Sequence, residues 1–290
     1  MKKLVVAGNI GFCFGVKRTV QTAERLLKKH KRLYSIGDIV HNPLVMENLK
    51  SKGLRVVSSE AEVEKGPFIV RSHGIGPATI ERLTEKGVEI FDATCPSVKK
   101  IQSLIKKLDR ERYFIIIIGN ENHPEVVALR EYGRNTCVSR DGKDMPGGRK
   151  REKAAVIGQT TLSFTEYFKS ASRFITSPVF AGKTIIYNTI CRVTGERQEE
   201  SAGISREAEA VFVLGGKTSS NTAKLCHNCR RFNKCVFHIE NLGELEKVSL
   251  KGIRSAGLIS GTSTPEDFIF AVKKYMKKKG YGEVQYNEQD

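Results

Sequence analysis

Three cysteines stand at the same kind of place in the chain, and that recurrence constrains the fold more than any other feature. Gly11-Phe12-Cys13-Phe14-Gly15-Val16-Lys17 follows the apolar run Leu4-Val5-Val6-Ala7 and leads into a basic helical pattern. Phe91-Asp92-Ala93-Thr94-Cys95-Pro96-Ser97-Val98-Lys99 and Tyr187-Asn188-Thr189-Ile190-Cys191-Arg192 repeat the arrangement, with an apolar strand ending and a cysteine ahead of a helix. Two families of loops keep step with them. A Gly-x-x-x-His pattern begins 24 residues after Cys13 (Gly37, His41) and again 24 after Cys95 (Gly119, His123), and Gly216-x-x-x-Ser220 begins 25 after Cys191. The second family comprises Ser72-His73-Gly74-Ile75-Gly76-Pro77, Gly158-Gln159-Thr160-Thr161-Leu162-Ser163 and Ser260-Gly261-Thr262-Ser263-Thr264-Pro265. The repetition predicts three similar α/β units, each delivering one cysteine and two small-polar loops at strand ends.

Strand-like runs at 4–7, 68–71, 90–93, 113–118, 154–157, 184–187, 210–214 and 256–259 alternate with amphipathic stretches such as 16–29, 98–107 and 266–278. Such alternation predicts an α/β fold with mainly parallel sheets. Ligands of open parallel sheets bind beyond the carboxyl ends of the strands, so the repeated loops are expected to converge on one site. The repeat divides the chain into 14–95, 96–190 and 191–280 together with 1–13, followed by a tail at 281–290, with a surface loop at 141–151.

No apolar run approaches the roughly 20 residues of a membrane-spanning helix, since Phe114-Ile115-Ile116-Ile117-Ile118 stops at Gly119. Met1-Lys2-Lys3 leads straight into a short strand, too short for a signal-peptide core, and a cytoplasmic location is expected. Seven cysteines in that compartment point to metal binding or redox chemistry rather than disulfides. The net charge of +17 favours an anionic partner, although runs such as Lys106-Lys107 and Lys277-Lys278-Lys279 also suit solvated helix faces.

Thiolates are soft ligands suited to iron–sulfur clusters, zinc and copper(I). Three of them from three units would hold a four-iron cluster with one iron lacking a protein ligand, although spacing alone leaves zinc open. Isolated cysteines are usually small buried hydrophobes, and it is the repeat that argues against that reading for Cys13, Cys95 and Cys191. Cys226, Cys229 and Cys235 form C-x2-C-x5-C near His227 and His238, a spacing compatible with an accessory zinc or iron site. Cys226 and Cys229 equally fit a helix continuing from Thr222-Ala223-Lys224-Leu225, where they would simply pack, and Cys137 reads as a lone thiol.

His41, His73 and His123 occupy loops after strands, and the third repeat replaces histidine with Ser219-Ser220-Asn221. Hydrogen-bond donors near helix N-termini share the capacity to hold an anion such as phosphate. No Gly-x-x-x-x-Gly-Lys-Ser/Thr or Gly-x-Gly-x-x-Gly motif is present, so a nucleotide site is not indicated. Glu125 lies two residues past His123, where a buried carboxyl could transfer protons or cap the next helix. Thr160 and Thr161 are positioned either to orient a substrate oxygen or to cap a helix.

Taken in order along nearly the whole chain, these motifs resemble the LytB/IspH family, reductases of 4-hydroxy-3-methylbut-2-enyl diphosphate in the non-mevalonate isoprenoid pathway. The resemblance runs through Gly11-Phe12-Cys13-Phe14-Gly15-Val16, His41-Asn42-Pro43, Ser72-His73-Gly74, Asp92-Ala93-Thr94-Cys95-Pro96, His123-Pro124-Glu125-Val126, Gln159-Thr160-Thr161-Leu162-Ser163, Asn188-Thr189-Ile190-Cys191, Ser219-Ser220-Asn221 and Ser260-Gly261-Thr262-Ser263-Thr264-Pro265. It implies a trefoil of three pseudo-equivalent α/β domains around a 4Fe-4S cluster held by Cys13, Cys95 and Cys191. It implies a diphosphate held by His41, His73, His123, Ser219, Ser220, Asn221 and Ser263, with Glu125 as the proton source and Thr160 in a hydroxyl relay. Reductive loss of the hydroxyl would give isopentenyl and dimethylallyl diphosphates. Thr262 stands where a smaller residue is common, and the Cys226, Cys229 and Cys235 group has no counterpart in the family's site.

No flavin or nicotinamide motif is visible, so electrons are expected from an external donor, and the basic surface suits an acidic ferredoxin or flavodoxin. The alternative within cluster chemistry is a non-redox dehydratase or synthase of quinolinate-synthase type, which would not need the His/Ser/Asn set. A nucleic-acid-binding protein would account for the charge, but basic residues interleaved with aromatics are not seen, and no nucleic-acid or membrane partner is expected.

Overall fold

Short, continuously apolar runs separated by helical patterns fold as three parallel sheets in the computed structural model, which describes residues 2–143, 152–175 and 182–286. Runs of this kind suit strands covered on both faces, where neither side meets water. The surface loop expected at 141–151 lies, from residue 144 on, outside the described residues. Among those that are described, no helix is long and apolar enough to cross a membrane.

The chain divides into two compact units, the first comprising Met1–Lys17, Val40–Glu47 and Arg192–Asp290. With strands numbered along the chain, its sheet runs β11 (Val236–Ile239), β10 (Ala210–Leu214), β12 (Ser255–Ser260), β1 (Lys2–Val6) and β13 (Tyr281–Gln285). Alternate residues of β10 face opposite cores, as the period of a strand requires. Phe212 and Leu214 pack with Leu4, Val6, Leu258 and with Phe268, Ile269, Val272 and Met276 of α10 (Glu266–Lys278). Val211 and Val213 pack with Ile259, with Ile204 of α7 (Arg192–Glu207) and with Leu225 of α8 (Ser220–Arg230).

The second unit comprises Arg18–Ile39 and Asn48–Cys191 and contains two four-stranded sheets. One runs β3 (Leu54–Val57), β2 (Leu33–Ile36), β4 (Pro67–Val70), β5 (Glu89–Asp92), and the other β7 (Thr136–Ser139), β6 (Phe114–Ile118), β8 (Lys153–Gly158), β9 (Lys183–Ile186). In its sheet β1 holds the place that β5 and β9 hold in theirs. Each of these three strands therefore leads to a cysteine: β1 to Cys13, β5 to Cys95 and β9 to Cys191.

The structure differs from the sequence reading in two respects. Strands β2, β3, β7, β11 and β13 are not announced by the sequence, because polar residues such as Ser35, Arg55, Thr136, His238 and Glu283 interrupt their short apolar runs. Residues 281–285, expected within a C-terminal tail, are the edge strand β13, paired with β1 from Lys2↔Tyr281 to Val6↔Gln285. The outer edge of β1 carries backbone groups that need partners, and β13 satisfies them while the Tyr281 hydroxyl donates to the Ile253 carbonyl at 2.8 Å.

Candidate active site

Each of the three cysteines immediately precedes a helix: Cys13 before α1 (Phe14–Lys29), Cys95 before α4 (Pro96–Arg110) and Cys191 before α7. Each is tied in the same way to a loop that leaves the sheet. The amide of Cys13 donates to the Thr262 carbonyl after β12, that of Cys95 to Ser72 after β4 and that of Cys191 to Thr160 after β8, all at 3.0 Å. None of the three cysteines is in a disulfide, and each is half-buried. Burial raises the Cys95 thiol above its ordinary value, the Ser97 and Val98 amides at the start of α4 oppose that rise, and the neighbouring Cys191 adds to it. Half-buried thiolates directly ahead of helix starts, with Cys95 facing the amides of α4, are soft donors of the kind an iron–sulfur cluster takes.

The remaining cysteines behave differently. Cys226 and Cys229 are 1% and 0% exposed and pack on the Val211–Val213 side of the sheet, with burial pushing the Cys226 thiol up to about 12. Cys235 packs on the opposite side, against the Phe212–Leu214 core. The C-x2-C-x5-C spacing therefore does not bring three thiols together, and His238 instead bonds through Nε2 with the Gly215 carbonyl at 2.9 Å. Cys137 lies in β7, half-buried against a core cluster.

In the second unit a carboxyl and a hydroxyl from neighbouring strand ends meet. Glu125 opens α5 (Pro124–Arg130) after β6, and Thr160 follows β8. The Thr160 amide donates to Glu125 Oε1 and its hydroxyl bonds with Oε2, both at 2.7 Å. The carboxyl is 1% exposed, and burial raises its pKa against the opposing hydrogen bonds of Thr160. The Glu125 amide donates to Nδ1 of His123 at 3.1 Å, so a neutral His123 ring carries its proton on Nε2. The His123 and His73 rings stand edge to face with centroids 5.4 Å apart and ring nitrogens within 4.8 Å of one another.

In the first unit the loops after β10 and β12 meet the segment that bears His41. The Ser263 hydroxyl donates to the His41 carbonyl at 3.1 Å. A Cβ at Gly216 would stand 2.8 Å from that same carbonyl, so the close approach requires glycine. Ser219 caps α8, its hydroxyl accepting the Thr222 amide at 3.3 Å, and Ser220 is the first helical residue. Asn221 is 3% exposed, and neither its Oδ1 nor its Nδ2 has a hydrogen-bond partner. Buried polar atoms are costly to leave unpaired, so a side chain of this kind at a helix N-terminus awaits a polar ligand.

Cap positions shift the register of the first loop family. The helix caps are Asn42, which accepts the Val45 amide at 3.3 Å, then His123 and Ser219, whereas the Gly-x-x-x spacing aligns His41, His123 and Ser220. Sequence reasoning missed Asn42, although an Asn directly before a proline at a helix start signals a cap. It also left out Gln159, 2% exposed, whose Oε1 accepts the Asn120 amide at 3.2 Å and whose Nε2 donates to Thr161 Oγ1 at 3.0 Å.

A family model described as LytB protein matches residues 4–277. The chain is 38% identical over 285 residues to a 4-hydroxy-3-methylbut-2-enyl diphosphate reductase of Caldanaerobacter subterraneus subsp. tengcongensis, covering 95% of this chain and 96% of that protein. To the reductase of the same name from Aquifex aeolicus it is 36% identical over 289 residues, covering 98% and 99% of the two chains. Among solved structures, the E-1-hydroxy-2-methyl-but-2-enyl-4-diphosphate reductase from Plasmodium falciparum is similar with a TM-score of 0.89 at 26% identity, over 100% of this chain and 93% of that one. An (E)-4-hydroxy-3-methyl-but-2-enyl diphosphate reductase described as the terminal enzyme of the non-mevalonate pathway matches with a TM-score of 0.72 at 33% identity, over 96% and 100%.

Proposed function

The chain belongs to the LytB protein family and is an oxidoreductase, and we propose that it reductively dehydroxylates 4-hydroxy-3-methylbut-2-enyl diphosphate. The C–O bond to the hydroxyl breaks, two electrons and two protons enter, and water leaves with either isopentenyl or dimethylallyl diphosphate. This is the last step of the methylerythritol phosphate route to isoprenoids.

Cys13, Cys95 and Cys191 hold a 4Fe-4S cluster in this reading, within three α/β repeats arranged as a trefoil. Such a cluster supplies electrons one at a time and, at the iron that no fourth cysteine ligates, Lewis acidity. His41, His73, His123, Ser219, Ser220, Asn221 and Ser263 bind and orient the diphosphate, and the burial of His123, Ser219, Asn221 and Ser263 limits competition from water. Asn221 has two polar atoms in want of partners, and phosphate oxygens would accept from its Nδ2.

The observation that carries the reading is the chain of bonds through Thr160. Its hydroxyl and amide hold the Glu125 carboxyl at 2.7 Å, while its carbonyl takes the Cys191 amide at 3.0 Å. Burial raises the Glu125 pKa and so favours the protonated carboxyl, the form suited to deliver a proton as general acid. Thr160 orients that proton and ties the loop carrying it to a cysteine. Electrons come from an acidic ferredoxin or flavodoxin drawn to the +17 chain, and the compartment is the cytoplasm, where thiols stay reduced.

Anaerobic purification followed by iron and sulfide analysis tests the cofactor. The reading predicts about four of each per chain and their loss in Cys13→Ser, Cys95→Ser and Cys191→Ser, with Cys226→Ser unaffected. Full iron and sulfide in all three of the first variants would sink it.

A further inference from the structure

We infer that Thr19 and Arg197 are positioning residues for the cysteine loops, Thr19 for Cys95 and Arg197 for Cys13. The two stand at the same place in their repeats: Thr19 is six residues past Cys13 on α1, and Arg197 is six past Cys191 on α7. Each reaches the backbone carbonyl two residues before another cysteine. The Thr19 hydroxyl donates to Ala93 at 2.9 Å, and an Arg197 Nη2 donates to Gly11 at 2.7 Å. Both side chains are buried, at 0% and 3% exposure, so neither bond is shared with bulk water. Desolvating a guanidinium is costly, and at Arg197 the carbonyls of Gly11 and Ser260 receive it, the latter at 2.9 Å.

Neighbouring bonds complete each clamp. Arg18 donates to the Thr94 carbonyl at 3.0 Å, so Ala93, Thr94 and Cys95 are held in succession by Thr19, Arg18 and Ser72. The Gly11 amide donates to Ser260 Oγ at 2.7 Å, so Gly11 is held through both its carbonyl and its amide. The third repeat uses another device. The residue six past Cys95 is the apolar, buried Ile101, and the residue two before Cys191 is Thr189. The Thr189 hydroxyl accepts the Gly158 amide and donates to the Gly158 carbonyl, each at 2.7 Å, holding its own loop. All three cysteine loops are thus pinned two residues upstream, two of them by a side chain from a helix that another cysteine opens.

A ligand held at its own atom but loose at its supporting backbone loses metal, and lost supporting contacts of this kind typically cost about 10- to 100-fold in affinity. The inference rests on the proposed cluster site, and its test reads metal retention rather than turnover. Anaerobically prepared protein is mixed with a ferrous chelator, and iron release is followed for the parent, Thr19→Val, Thr19→Ser, Arg197→Met and Ile101→Val. Thr19→Val and Arg197→Met are expected to release iron about tenfold faster or more, while Thr19→Ser, which keeps the hydroxyl, and Ile101→Val release it at the parent rate. Release at the parent rate from Thr19→Val would overturn the inference, whatever happens to its melting temperature, and Thr19→Val carries the test alone if Arg197→Met does not fold. A parent that binds no iron–sulfur cluster would overturn both this inference and the reading beneath it.

Discussion

The loop after β6 and the loop after β10 occupy the same topological position in their sheets, yet their polar groups are in opposite states. After β6, Glu125 spends its hydrogen-bonding capacity on Thr160, with two bonds at 2.7 Å. After β10, Asn221 is equally buried and both ends of its amide are unpartnered. A closed network holds one proton in one place, whereas an open one holds its donors ready for something that arrives. In the proposed reading, the difference separates proton delivery from substrate binding within a single repeated design.

The largest effect that would sharpen this contrast is expected at Glu125. Glu125→Gln keeps the shape and the bond from the Thr160 amide but removes the transferable proton, and kcat is expected to fall about 10²- to 10⁴-fold with KM little changed. A fully active variant would end the proton-donor role. Thr160→Val leaves a buried carboxyl oxygen without its hydroxyl partner, and denaturant unfolding is expected to show a loss of about 1–3 kcal/mol.

Asn221→Ala should do the reverse. It removes two unpartnered buried atoms, so the free protein is expected to melt at the parent temperature or above it, while the rise in melting temperature on adding substrate diphosphate shrinks. If Asn221→Ala instead destabilised the free protein as much as Thr160→Val does, the two loops would not differ as described.

The smallest effect is in pH. Because burial raises the Glu125 pKa, the unfolded chain releases that proton at a lower pH than the folded chain does. Stability from this group is therefore lost as pH rises from the ordinary carboxylate value through the raised one. Glu125→Gln is expected to lose that part of the slope in denaturant titrations at stepped pH. Identical slopes in parent and variant would mean the carboxyl is not held protonated.

What could be read before the structure was the architecture and the membership of the loops. Apolar runs such as Ile115-Ile116-Ile117-Ile118, each residue at 1% exposure or less, announce a strand buried on both faces. The cysteines announce themselves because each stands between such a run and a helix start. What could not be read is which side chains meet. Nothing in the spacing of Glu125 and Thr160, 35 residues apart, says that they bond, because that contact follows from β6 and β8 lying side by side. Cys226 and Cys235 look like one motif, yet Cys226 rides on α8 against one face of the sheet, while alternation along residues 235–237 into β11 puts Cys235 and Phe237 on the other face and Val236 on the first. Thr19 and Arg197 are legible only in retrospect, since an offset of six residues means little until the carbonyls they reach are known.

The central claim, that this chain removes a hydroxyl by reduction, is tested most directly by product analysis of an anaerobic reaction with 4-hydroxy-3-methylbut-2-enyl diphosphate, with and without dithionite. The account predicts isopentenyl and dimethylallyl diphosphates only when the reductant is present. Substrate that stays intact with reduced, cluster-loaded enzyme, or turnover at the same rate with no electron source, would contradict it.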